Sequence, residues 1–137
     1  MEAKLKHLEM VVDVIQRMAS NSFLLKGWSL TLVVALVALS ANKTNLLLVM
    51  AAMLPCLVFW GLDGYFLRQE RLFRRLYDEV RMKKPEEIDF SMKWSQEASE
   101  KEASWLGVCV SRTLLAFHGS VLVSIFLIAW LFFCAGK

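Results

Sequence analysis

Apolar positions along the chain fall into three nearly continuous runs, and between them they return only at helical spacing. From Phe23 to Ala41 the run is interrupted only by Lys26, Trp28, Ser29, Thr31 and Ser40. From Leu46 to Leu62 it carries no charge, and from Thr113 to Ala135 its one potentially cationic group is His118. Each run, borrowing a flanking turn where it is short, can cross roughly 30 Å of hydrocarbon as a helix. A soluble bundle would instead show apolar stripes with a polar face opposite. Asn42, Lys43, Thr44 and Asn45 separate the first two runs, and their side chains compete for backbone hydrogen bonds. That predicts a tight turn and a helical hairpin.

The remaining segments read as amphipathic helices. Over residues 3 to 19, Leu5, Leu8, Val12, Ile15 and Ala19 share a face broadened by Val11 and Met18, opposite Lys6, Glu9, Asp13, Gln16 and Arg17. Such a helix could rest on a bilayer surface, but its mixed-sign polar face suits packing against a cytoplasmic helix or a neighbouring subunit better. Beyond the second run, Leu72, Phe73, Leu76 and Val80 occupy one side until Pro85 interrupts the pattern. Ser99 to Glu102 has capping-box spacing, which would be accidental if a helix already runs through it. The pattern predicts an all-α integral membrane protein, with three transmembrane helices and cytoplasmic amphipathic helices. Its parts are a cytoplasmic amphipathic helix over 1–22, a transmembrane hairpin over 23–66, a charged cytoplasmic helical region over 67–112 and a third transmembrane helix over 113–135.

Composition strengthens this picture. Of 137 residues, 57% are hydrophobic and the mean hydropathy is +0.47, an excess that must face lipid or partner subunits. Charge sets the orientation: Arg68, Arg71, Arg74, Arg75, Arg81, Lys83 and Lys84 follow the second run, while the inter-helix turn has only Lys43. The positive-inside rule therefore puts the N-terminus and residues 67–112 in the cytoplasm and the C-terminus, with Lys137, outside. Glu2, Glu9 and Asp13 in the first twenty residues argue against a cleaved secretion signal.

Residues 65–84 hold seven basic and three acidic side chains, and residues 86–102 hold six acids against Lys93 and Lys101. The arginine-rich face could bind phosphate or an acidic partner, or be neutralised by the acidic segment within or between subunits. Lys26 and Asp63 fall at similar depth in an antiparallel hairpin, as an ion pair coupling the membrane helices to the cytoplasmic region or as independent anchors. For such a pair, exchanging the charges should preserve more activity than neutralising either one. Gly61 and Gly64 permit close approach or a bend near Asp63, and Pro55 could bend the second span. His118, Ser120 and Ser124 could line a pore or make interhelical hydrogen bonds, with His118 out of strict alignment with the serines. Trp94 and Trp105 could form an aromatic surface or anchor at the interface. Cys56, Cys109 and Cys134 lack metal-ligand spacing and read as structural, so no metal or other cofactor is expected. Phosphate-loop, zinc-protease and CxxC patterns are absent, and His7 and His118 lack a recognised catalytic constellation, which argues against an enzyme.

The hairpin and following helix, above all NSFLLKGWS at 21–29 and WGLDGYFLRQERLFRRLYDEV at 60–80, resemble small bacterial membrane effectors of nucleotide-signalling antiphage systems. The resemblance is architectural and covers most of the chain. It implies a homo-oligomer in the bacterial inner membrane that opens a conductance, or otherwise damages the membrane, when a nucleotide-dependent partner changes its state. It also implies Lys26, Asp63, Tyr65, Glu70, Arg71 and Tyr77 as structural or gating residues. The expected partners are a cytoplasmic nucleotide-processing protein, an anionic nucleotide or single-stranded oligonucleotide, and membrane lipid. The alternative is a nonconducting adaptor or scaffold that regulates a cytoplasmic partner.

Overall fold

The computed structural model describes residues 1–41 and 45–135, the last residue of each stretch by its backbone alone, and these residues build an all-helical chain. The turn expected at Asn42, Lys43 and Thr44 lies outside the described residues, as does Lys137. Helix α1 runs unbroken over Glu2–Ala41, so the amphipathic stretch and the first apolar run are one rod. At 1.5 Å per residue it is about 60 Å long, about twice the hydrocarbon thickness. Helix α2, Leu46–Ala51, is capped by the Asn45 side chain accepting from the Leu47 N–H, and passes through a turn at Ala52 into α3, Met53–Met82. The interruption sits where Pro55 cannot donate to the Ala51 carbonyl and its ring crowds that group. Neither the expected boundary at 22/23 nor that at 66/67 coincides with a helix end.

Past α3 a strap begins with Pro85 at the first position of a short 3-10 turn, Pro85–Glu87, and continues without helix or strand to Ser95. Short helices α4, Gln96–Lys101, and α5, Trp105–Cys109, begin at Ser95 and Ser104, whose side chains accept from the Ala98 and Gly107 N–H groups. Helix α4 already runs through Ser99, so the capping-box spacing there is coincidental. The third apolar run starts with one turn of α6, Arg112–Leu114, widens into a π-helical segment over Leu115–Gly119, and ends in α7, Ser120–Ala135. Among the described residues three helical stretches are long and apolar enough to cross a membrane: Glu2–Ser40, Leu46–Met82 and Arg112–Cys134.

Two apolar cores result. Within the spans, Val33 of α1, Val49, Ala52 and Cys56 of α2–α3, and Val121, Ile125 and Ala129 of α7 bury one another. At the polar end, where the N-terminal half of α1 lies beside the C-terminal half of α3, Val11, Leu76 and Val80 form a second core closed by Ile88, Met92 and Trp94 of the strap. Trp94 meets Phe73 edge to face at 5.3 Å. The strap is fastened at its start, where Lys4 Nζ donates to the carbonyls of Arg81 and Lys83 at 2.7 and 2.8 Å. Phe90, at φ 54°, turns the strap through the left-handed region beside His7, whose Nε2 lies 3.0 Å from the Ser91 carbonyl oxygen.

Candidate functional site

Asp63 lies between the two cores, fully buried, where Gly61 and Gly64 let neighbouring elements approach. From α1, Lys26 Nζ reaches its Oδ2 at 2.6 Å, and the Ser22 hydroxyl, one helical turn earlier, donates to its Oδ1. Lys26 also donates to Ser22 Oγ at 3.0 Å. From the π segment, His118 Nε2 approaches Oδ2 at 2.9 Å. One carboxylate, itself on the second apolar helical stretch, thus collects hydrogen bonds from the first and the third. Against a carboxylate Nε2 is the donor, so in the neutral ring the lone pair sits on Nδ1, which is buried and has no hydrogen-bond partner among the described residues. The ring stacks on Trp60 at 5.6 Å and 11° and meets Phe117 edge to face at 5.0 Å. Lys26 is 19% exposed and Asp63 and His118 are sealed. An ionisable cluster at such a position is a functional candidate by its desolvation cost alone.

Helix α5 covers the same region. Trp60 Nε1 donates to the Cys109 carbonyl at 2.8 Å and Trp105 Nε1 donates to the Gly61 carbonyl at 2.9 Å. A Cβ at Gly64 would collide with Cys109 Sγ, so glycine is required there by contact rather than by backbone angle. Both glycines serve close approach to α5, and α3 runs unbroken through them.

The arginine face is occupied from within the chain. Arg71 and Arg75 both pair with Glu102, at 3.5 and 3.0 Å, and Arg75 also donates to the Lys101 carbonyl at 3.1 Å. Arg68 donates to the Ala103 carbonyl at 3.1 Å, Arg74 pairs with Glu70 at 2.8 Å, Arg81 with Asp78 at 3.5 Å, and Lys83 with Asp89 at 3.4 Å. Lys84 is exposed, with its backbone N–H on the Glu87 carboxylate at 3.1 Å. Tyr77 packs on the polar-end core, whereas Tyr65 is exposed beside Phe66.

The structure separates His118 from Ser120 and Ser124. His118 shares the buried face of Leu114, Val121 and Ile125. Ser120 and Ser124 are exposed and donate to carbonyls of their own helix, those of Phe117 and Ser120, at 2.7 and 2.9 Å. They line an apolar groove of about 480 Å³ between α1 and α7. Sequence reasoning missed Ser22, which carried a signal in its four-residue spacing to Lys26. It also missed Glu102, which nothing in the sequence distinguishes from the other five acids of residues 86–102. No protein-family model, curated protein or solved structure matches this chain.

Proposed function

We propose that the chain is an oligomeric effector of the bacterial inner membrane that conducts ions when its cytoplasmic end meets a nucleotide, an oligonucleotide or a nucleotide-processing partner, in antiphage defence. The observation that carries this reading is the Asp63 cluster, in which one carboxylate ties all three candidate spans together. An anionic ligand at Arg71 and Arg75 competes with Glu102 for the same guanidinium groups. Releasing Glu102 frees the segment that leads into α5, and α5 is bonded to the backbone of α3 beside Asp63. The third span follows directly, so ligand binding at the arginine face is coupled through α5 to His118.

The alternative, a nonconducting adaptor, draws its support from the arginines already being satisfied within the chain, a surface suited to docking an acidic protein by exchange of partners. Bilayer recording of the purified, reconstituted protein separates the readings. The pore reading expects discrete conductance that grows with single-stranded oligonucleotide or cyclic nucleotide, weakens with salt as counterion release requires, and appears at lower ligand in Glu102→Gln. Silence across these ligands from correctly assembled protein overturns it and leaves the adaptor.

A further inference from the structure

Residues 103–111 contain no charge, although they lie within the region whose arginines and acids mark it as water-facing. Helix α5, held on α3 by Trp105 and Cys109, buries Val108 and turns Leu106 and Val110, four residues apart, outward at 67% and 62% exposure, with Trp105 beside them at 46%. Its depth follows from its bonds. Trp105 is fixed to Gly61, which precedes Arg68 by seven residues on the same helix, about 10 Å at the α-helical rise. The helix therefore lies on the apolar side of the first arginine. Through Trp105 its exposed strip joins Leu57, Val58 and Leu62 on α3, all exposed, in a groove of about 550 Å³ that Gly61 and Tyr65 also line.

We infer that α5 is an interfacial helix whose outer side inserts among phospholipid acyl chains, making residues 104–111 a lipid-binding surface. The occupant is lipid because the strip is continuous with the outer surface of a helix long and apolar enough to span, and sits too deep for a water-borne partner. Aromatic Trp105 and Tyr65 occupy the level at which such rings meet headgroups, and exposed Arg112 stands at the end of the strip to meet their phosphates. This inference rests on the membrane-spanning reading and is independent of conductance.

The test uses nitroxides at Leu106→Cys and Val110→Cys in a background lacking the three native cysteines, in phosphatidylcholine and phosphatidylglycerol vesicles. Collision with oxygen should exceed collision with a polar nickel complex several-fold more than at Glu86→Cys, and less than at Leu127→Cys in mid-span. A Glu86-like ratio at both sites, or shielding from both reagents as a second copy would impose, overturns the lipid surface. A water-like ratio at Leu127→Cys overturns the spanning reading and this proposal with it. Should the cysteine-free background fail to fold, a photoreactive side chain at Leu106 in the otherwise native chain should yield lipid adducts by mass. Cross-linked dimers in their place would overturn the proposal.

Discussion

Asp63→Asn removes a charge from the centre of the cluster while keeping its shape. The asparagine carbonyl can still accept from Lys26 and His118, and its amide can turn to Ser22 Oγ, so the principal loss is the counter-ion of Lys26. Breaking a buried pair by removing one partner costs about 3–5 kcal/mol. Lys26 keeps 19% of its side chain exposed and can slide its ammonium toward water, which places Asp63→Asn near the low end, about 3 kcal/mol. Lys26→Met leaves the sealed carboxylate behind and belongs near the high end, about 5 kcal/mol. The double variant Lys26→Met/Asp63→Asn should fall about 2–3 kcal/mol short of the sum of the two single losses, at about 5–6 kcal/mol. Lys26→Asp/Asp63→Lys should not rescue, because an ammonium at position 63 would sit against His118 with no path to water. Retaining more activity on charge exchange, the expectation from the pair alone, ignores that asymmetry of exposure. Reversible unfolding of the reconstituted protein, followed by steric trapping, measures all four. Additivity within about 0.5 kcal/mol, or a more damaging Asp63→Asn than Lys26→Met, would refute the reasoning.

Gly64→Ala should destabilise by about 1–3 kcal/mol through collision with Cys109, and Cys109→Ala should recover part of that loss in the same unfolding assay. Lys4→Met removes the donor to the Arg81 and Lys83 carbonyls and should raise amide exchange over residues 83–92 with little change in the spans, a difference of about 1 kcal/mol in local opening. The Ser91 backbone N–H, and then Lys83, hold the Asp89 carboxyl below the ordinary carboxylate range. A lowered folded-state value gives stability present above the unfolded-state value and lost as pH falls through the folded-state one, so the strap should loosen on acidification below the ordinary carboxylate range. A carboxylate NMR titration of Asp89, set against Asp89→Asn, checks the sign.

The sequence alone determined the three apolar runs and their lengths, because spanning hydrocarbon demands continuous apolar side chains on a self-bonded backbone. It also brought Lys26 and Asp63 to similar depth, since a short antiparallel connection leaves few registers for two charges flanking it, but whether they pair or anchor separately was left to the tertiary structure, which pairs them. The face containing Leu72, Leu76 and Val80 was legible from its spacing alone. Tertiary structure decided the third partner of Asp63: His118 is far away in sequence, and its helix could have turned the serine face inward at equal hydropathy. It likewise decided which acid answers Arg71 and Arg75, because charge balance assigns a segment but only packing selects Glu102 from it. The placement of α5 was hidden most deeply. Its few apolar residues, set among charges, look like an ordinary short helix until Trp105 and Trp60 exchange hydrogen bonds with the backbone and fix its depth against α3.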